Sequence, residues 1–218
     1  MPKKKGFFIV FEGIEGSGKS FQINRLYKKL KKKNLKVIKT REPGGTKSSE
    51  LIRNLILKDY FEKDKKEKFD KYTDTLLYLA ARNEHIKNKI EPALKAKKVV
   101  ICDRFINSTY AYQVVGKKVE KKFIDNIHKK ILRGVKPDMT FILKTSMTSS
   151  TRRLKKRKLK NRYDKFKRSF YISAQKAFLS QAKNKKDYFV LDSSKDDTTL
   201  EKIIFKTVYN SIKLRHDK

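Results

Sequence analysis

The residues with the clearest chemical potential lie near the amino terminus, where glycines, a lysine and a hydroxyl follow an apolar run. The run is Phe7–Phe11, and the segment after it matches the pattern G-x-x-x-x-G-K-[ST]. In this pattern backbone N–H groups surround phosphate oxygens, the lysine reaches the β- and γ-phosphates, and the hydroxyl contacts a magnesium ion. We therefore predict a site for ATP or another nucleoside triphosphate, formed by Gly13, Ile14, Glu15, Gly16, Ser17, Gly18, Lys19 and Ser20.

A second apolar run, Val99–Asp103, ends in a carboxylate that Arg104 follows directly. A buried parallel strand delivers such a carboxylate to the carboxyl edge of its sheet, where the phosphate-binding loop also lies. We predict that Ser20 and Asp103 hold Mg²⁺ and that Arg104 contacts a second phosphate. The alternative is an ordinary strand end with a surface ion pair.

The segment 40–46, T-R-E-P-G-G-T, leaves another predicted strand at the same edge of the sheet. This segment could contribute to a ligand site there. A plain turn between a strand and a helix would also explain its Pro-Gly-Gly sequence.

A cationic segment, Arg152–Asp164, has almost no apolar residues, and we expect it to be a surface loop or lid. Arginine stays charged, and its planar fork suits phosphoryl oxygens. The lid arginines could therefore neutralise charge on a transferred phosphoryl group, although a solvated basic loop is the alternative. They are Arg152, Arg153, Arg157 and Arg162.

Apolar runs alternate with helical patterns along the chain, which predicts a parallel sheet flanked by helices. The expected strands are Gly6–Glu12, Lys36–Arg41, Val99–Asp103, Met139–Lys144 and Tyr188–Asp192. Helices are expected from Lys19, after Thr46, over 70–89, over 120–132, around 166–178 and around 200–208. The chain of 218 residues is predicted to be a single α/β domain, residues 1–218, with the lid as a segment within it.

The net charge of +35 raises the alternative of a nucleic-acid-binding ATPase. Lysine pairs recur along the whole chain and form no single basic stripe, which favours solvated surfaces over a specific nucleic-acid partner. No apolar run reaches 18 residues, and no secretory leader is evident, so we expect a cytoplasmic protein without a membrane partner. The only cysteine, Cys102, is expected to be buried and reduced.

These motifs together resemble the thymidylate kinase family, in its bacterial form, over nearly the whole chain. The resemblance is carried by the segments 11–20, 40–46, 80–82 and 103–113, with residues 192–194 where the family has its adenine loop. It implies the P-loop nucleoside monophosphate kinase fold, a homodimer, and phosphorylation of dTMP to dTDP with ATP and Mg²⁺. It also implies that the lid supplies the catalytic arginine, since the phosphate-binding loop contains none.

The resemblance also implies a role for each site residue. Glu15 would accept a hydrogen bond from the sugar 3′-hydroxyl, Tyr78 would stack on thymine, and Arg82 would donate to a thymine carbonyl. Tyr78 stands where most relatives have phenylalanine. The implied substrate-binding set is Glu15, Arg41, Tyr78, Arg82, Arg104, Ser108, Thr109, Tyr112 and Gln113, with Tyr112 against the 2′-position. The implied catalytic set is Lys19, Arg104, Arg153, Arg157 and Arg162.

Overall fold

Five parallel strands form the centre of the protein in a computed structural model that describes residues 6–58, 68–156, 166–195 and 198–216. They are β1 (Phe7–Glu12), β2 (Val37–Arg41), β3 (Val99–Asp103), β4 (Met139–Lys144) and β5 (Tyr188–Asp192). Their order is β2-β3-β1-β4-β5, and every neighbouring pair is parallel. All five strands therefore end at one edge of the sheet. The predicted strands are confirmed, with β1 and β2 starting slightly later than expected.

Helices cover both faces of this sheet. They are α1 (Lys19–Lys32), α2 (Lys47–Leu57), α3 (Lys71–His85), α4 (Glu91–Lys95), α5 (Ile106–Thr109), α6 (Lys121–Ile131), α7 (Met147–Lys155), α8 (Arg168–Ala182) and α9 (Thr199–His216). Successive side chains of β1 point to opposite faces. Ile9 and Phe11 pack in a core with α1 and α9, whereas Phe8 and Val10 pack with Phe105 and the helical segment that precedes β3.

Two π-helical turns extend helices, one before β3 in the chain and one after it. One, Ile86–Ile90, joins α3 to α4, and the other, Tyr110–Gly116, continues α5. Pro92 lies in the first turn of α4, as expected from its missing N–H group. The chain nevertheless stays helical from α3 into α4. The wider π-helical turn allows this, because Glu91 N donates to Ile86 O just before Pro92, which has no N–H group to donate.

The beginning of the predicted lid is helical, which corrects the expectation of a loop from Arg152 onward. Arg152 and Arg153 lie in the last turns of α7. The Ser146 side chain accepts a hydrogen bond from Ser149 N and caps this helix, and arginine and lysine then continue it. Residues 157–165 of the lid lie outside the described part of the chain.

Cys102 is buried in β3 with a free thiol, as predicted from the sequence. Burial raises the pKa of this thiol well above its usual value, so it remains an unreactive small apolar group. Within the described ranges, no helix combines the length and the apolar character that a membrane crossing needs.

Candidate active site

The phosphate-binding loop, Gly13–Ser20, connects β1 to α1 as the pattern requires. Gly16 and Gly18 adopt left-handed backbone conformations, with φ of 70° and 84°, and Gly18 is the N-cap residue of α1. A Cβ atom on Gly16 would lie 2.6 Å from the carbonyl oxygen of Ser150. Glycine is therefore required at this point, both for the turn and for its close approach to α7.

Lys19 turns its amino group into this loop. Its Nζ donates to the carbonyl oxygens of Gly13 at 3.0 Å and Ile14 at 2.9 Å. Burial, together with the nearby charge of Arg104, lowers the pKa of Lys19 to about 8. Phosphate oxygens are stronger acceptors for an ammonium group than neutral carbonyls, so the same position suits a bound triphosphate.

Ser20 and Asp103, the two predicted metal ligands, are brought together at the carboxyl edge of the sheet. Ser20 Oγ donates to Asp103 Oδ2 at 3.0 Å. The other carboxylate oxygen, Asp103 Oδ1, is buried and has no hydrogen-bond partner in the described structure. A hydroxyl beside an unpaired carboxylate oxygen fits Mg²⁺, which takes a few protein oxygens and completes its shell with water and phosphate. Over the described ranges no cluster of three or more metal-ligating side chains occurs, so phosphate and water would have to supply the other ligands.

Arg104 bridges the phosphate-binding loop and the opposite side of the site. Its Nη1 donates to Gly13 O at 2.9 Å, and its Nη2 donates to Glu15 Oε1 at 2.8 Å. The Tyr112 hydroxyl donates to the other oxygen of Glu15 at 2.7 Å. The guanidinium also lies 5.2 Å from the centroid of the Tyr112 ring. Three residues predicted from two separate segments, 11–20 and 103–113, thus form one connected unit.

Glu12 anchors the segment that carries Arg104, and sequence reasoning missed it. The side chain is fully buried; Oε1 accepts from Phe105 N at 2.8 Å and Oε2 from Ser108 Oγ at 2.6 Å. Burial raises the pKa of Glu12 to about 7. A charged residue that ends an otherwise apolar strand was the available signal, because burial there requires hydrogen-bond partners.

A cavity of about 580 Å³ extends from the phosphate-binding loop to the predicted substrate-binding residues. Its walls combine charged groups with the apolar surfaces of Leu57, Tyr78 and Phe105. Of the predicted residues, those that line it are Glu15, Gly16, Ser17, Gly18, Lys19, Ser20, Arg41, Tyr78, Arg82, Asp103, Arg104, Ser108, Thr109, Tyr112, Gln113 and Arg153. Gly13 and Ile14, the first two residues of the loop, do not line the cavity, and Ile14 is buried in the core.

Arg82 lines the cavity, yet its side chain is only 3% exposed. Its Nε contacts Glu42 Oε2 at 2.7 Å, Nη2 donates to Phe105 O at 2.9 Å, and Nη1 donates to Thr109 Oγ1 at 2.8 Å. Every nitrogen of this guanidinium therefore has an acceptor within the protein. Nη1 also meets His128 Nε2 at 2.8 Å, and Nη2 lies 2.7 Å from Glu42 Oε2, so all five N–H groups of the guanidinium face acceptors within the protein. A base carbonyl could therefore bind Arg82 only by sharing one of these hydrogens, which the sequence gave no reason to expect.

Two further charged residues accompany the 40–46 turn. Arg41 is more than half exposed and donates to both carboxylate oxygens of Glu50 at 3.0 Å. Arg53, on α2, donates to Pro43 O at 2.6 Å and lines the cavity. Sequence reasoning missed Arg53, although its place in the helix after the turn, three residues from Glu50, was a usable signal.

Arg153 ties α7 to the phosphate-binding loop and to the segment after β5. Its Nη1 donates to Gly16 O at 3.1 Å and its Nη2 to Ser193 O at 2.7 Å. Ser193 Oγ in turn donates to Ser17 O at 2.9 Å. Ser193, in the segment 192–194 expected near adenine, thus contacts the phosphate-binding loop. Arg157 and Arg162 lie outside the described residues.

Comparisons with known proteins agree on one family. A family model described as thymidylate kinase matches residues 11–204. A thymidylate kinase of Sulfurihydrogenibium sp. is 39% identical over 200 residues, covering 91% of this chain and 95% of that relative. One from Prochlorococcus marinus is 42% identical over 196 residues, covering 87% and 90%. The crystal structure of thymidylate kinase from Ehrlichia chaffeensis has a TM-score of 0.72 at 33% identity, covering 94% and 98%. The alternative of a nucleic-acid-binding ATPase finds no support among them.

Proposed function

The chain belongs to the thymidylate kinase family, and on that premise we propose that it transfers the γ-phosphoryl group of ATP to dTMP, giving dTDP and ADP. The observation that carries this proposal is the single cavity between Lys19, on the donor side, and the unit of Arg104, Glu15 and Tyr112 on the acceptor side. A phosphoryl transfer needs both substrates held in line within one such cavity.

On the donor side, the backbone N–H groups of the phosphate-binding loop and Lys19 would bind the phosphates of ATP. Lys19 Nζ exchanges its contacts with Gly13 O and Ile14 O for phosphate oxygens, which neutralises part of the charge on the transferred group. Ser20 and Asp103 would hold Mg²⁺, which supplies charge neutralisation to the phosphates when bound. The loop and Lys19 together position the γ-phosphoryl group.

On the acceptor side, Arg104 would contact the 5′-phosphate and Glu15 the sugar 3′-hydroxyl. The hydrogen bond from Tyr112 orients Glu15. The Tyr112 ring would then lie against the 2′-position of the sugar. The 5′-phosphate is already ionised at neutral pH, so no strong general base is required. Positioning and charge neutralisation by Lys19, Arg104 and the lid arginines would therefore account for catalysis.

Base selectivity is expected where Leu57, Tyr78 and Phe105 line the cavity. Tyr78 offers an aromatic face there, and Gln113 Nε2 is a buried donor without a partner in the described structure. A thymine carbonyl would satisfy this donor, whereas the amino group that cytosine and adenine carry in that position would not.

The experiment that tests this proposal measures ADP release from ATP and Mg²⁺ with each nucleoside monophosphate. We expect kcat/KM for dTMP to exceed that for dCMP, dGMP and dAMP by at least about 10²-fold. Comparable rates with all four monophosphates, or ATP consumption that depends on added DNA instead of dTMP, would contradict the assignment.

We further propose that the enzyme is a cytoplasmic homodimer that buries the outer surface of α2 and α3. Leu51 and Leu55 on α2 are 70% and 43% exposed, and Leu76 on α3 is 48% exposed.

Sedimentation equilibrium should give a dimer for the wild type and a monomer for Leu51→Glu. Leu214→Glu, at a 65% exposed leucine on α9, is the matched control and should remain dimeric. A monomeric wild type at micromolar concentration would refute the dimer.

A further inference from the structure

His128, on α6, lies behind the wall of the cavity and faces the guanidinium of Arg82. The two side chains meet through Arg82 Nη1 and His128 Nε2 at 2.8 Å. His128 is 4% exposed, and it lines a separate cavity beside α6 instead of the one that contains Lys19. The other acceptors of Arg82 belong to Glu42, Phe105 and Thr109, which lie in the turn after β2, in the loop after β3 and on α5. His128 is therefore the partner that α6 contributes from outside the site.

The contact defines which form of the imidazole is present. A guanidinium has donors only, so His128 Nε2 must carry a lone pair and the proton must lie on Nδ1. His128 Nδ1 faces the Tyr110 hydroxyl at 3.5 Å, and that hydroxyl donates to Asp125 Oδ1 at 2.6 Å. Burial and the charge of Arg82 lower the pKa of His128 to about 3. The ring is thus a neutral acceptor at neutral pH, aligned from behind by Tyr110 and Asp125.

We propose that His128 is a positioning residue for the acceptor base, which it serves by fixing the guanidinium of Arg82 in the cavity wall. The inference rests on the proposed function, in which Arg82 meets a thymine carbonyl. The planar guanidinium of Arg82 has a rigid fork of donors, so an acceptor on one edge sets the direction of the others. Without His128, the second hydrogen of Nη1 loses its acceptor, and Thr109 alone holds this edge of the guanidinium.

Loss of His128 should weaken the binding of dTMP and leave the binding of ATP unchanged. In the proposed function the base contacts Tyr78 and Arg82 and takes no part in phosphoryl transfer, so its contacts would be made equally in the ground state and in the transition state. Loss of such a contact raises KM without changing kcat. A defect in general packing would instead lower the melting temperature without separating the two substrates.

The test compares His128→Phe, which keeps a flat ring but offers no acceptor, with His128→Gln, whose amide oxygen can reach the position of Nε2. We expect His128→Phe to raise KM for dTMP by about 10-fold or more while kcat and KM for ATP stay within a few-fold of wild type. His128→Gln should restore most of the affinity. Isothermal titration calorimetry of dTMP binding should rank the dissociation constants of the wild type and the two folded variants in the same order as their KM values.

Two further variants separate positioning from packing. Tyr110→Phe removes the hydroxyl behind the imidazole, folds without a change of shape, and should raise KM for dTMP by a smaller factor. Ile124→Val, a buried position on the same helix, should lower the melting temperature with no change in KM. An unchanged KM for dTMP in both His128→Phe and Tyr110→Phe would overturn the inference, as would an equal rise in the KM for ATP. A wild-type enzyme inactive toward dTMP would instead overturn the proposed function on which the inference rests.

Discussion

Replacing Lys19 with alanine should lower kcat by about 10³-fold or more while the protein remains folded. The loss is expected because Lys19 Nζ is the one cation that the phosphate-binding loop itself supplies to the transferred group. Steady-state kinetics of ADP release under saturating ATP and dTMP measures the effect. Lys31→Ala, at an exposed lysine on the same helix, removes an equal charge and should leave kcat unchanged.

The stability of the variant should not fall, and this separates catalysis from folding. The pKa of Lys19 is lowered to about 8, so at pH 7 the folded state carries a buried charge at a cost that the unfolded state avoids. Because Lys19 loses its proton at lower pH in the folded state than in the unfolded state, the free energy of unfolding of the wild type should rise between pH values of about 8 and 10.5. Lys19→Met should therefore melt at or above the wild-type temperature at pH 7. A kcat within a few-fold of wild type in either variant would refute the role of Lys19.

Replacing Arg162 with alanine should lower kcat by about 10³-fold and change KM for dTMP much less. Lys19 is a single cation facing several anionic oxygens, and the lid segment is rich in arginine. An interaction made mainly in the transition state has this kinetic signature. Arg162→Lys should recover only part of the rate, because a point charge lacks the bidentate fork.

The other lid arginines provide graded comparisons. Arg153→Ala should also lower kcat, because Arg153 contacts Gly16 O and Ser193 O beside the proposed phosphate site. Arg157→Ala is expected to act in the same direction. Arg168→Ala, at an exposed arginine that begins α8, is the control and should be near wild type. Near-normal kcat in all three lid variants would mean that the segment is a solvated basic region, and that catalysis depends on Lys19 and Arg104.

The features that could be predicted from the sequence are those encoded by neighbouring residues. Continuous apolar runs identified the strands, because a strand of a covered parallel sheet is buried on both faces. The glycines, Lys19 and Ser20 identified the phosphate-binding loop, since the required turn and its ligands lie within eight residues. Parallel strands end at one edge, so the proximity of Asp103 to this loop also followed from the sequence. The distance of 3.0 Å between Ser20 Oγ and Asp103 Oδ2 agrees with that expectation.

The failures of prediction lie where the outcome depends on local competition. Arg152 and Arg153 looked like loop residues because they are charged, but charge says little about helix formation in arginine and lysine, which have good helix propensity. The cap at Ser146 then determined where α7 begins. Composition alone could not distinguish a solvated helix from a solvated loop.

The tertiary structure alone decided how the buried charges are satisfied. Glu12 bonds to Ser108, 96 residues later, and Arg82 bonds to Glu42 and His128, 40 and 46 residues away. Nothing in the local sequence pairs these residues, since each is a single polar position within an apolar or helical pattern. Their pairing follows from the crossing of helices over the sheet edge, where a buried charge must find partners or lose its charge. That requirement is why the guanidinium of Arg82 is surrounded by acceptors from several elements, and why we expect a histidine outside the cavity to affect base binding within it.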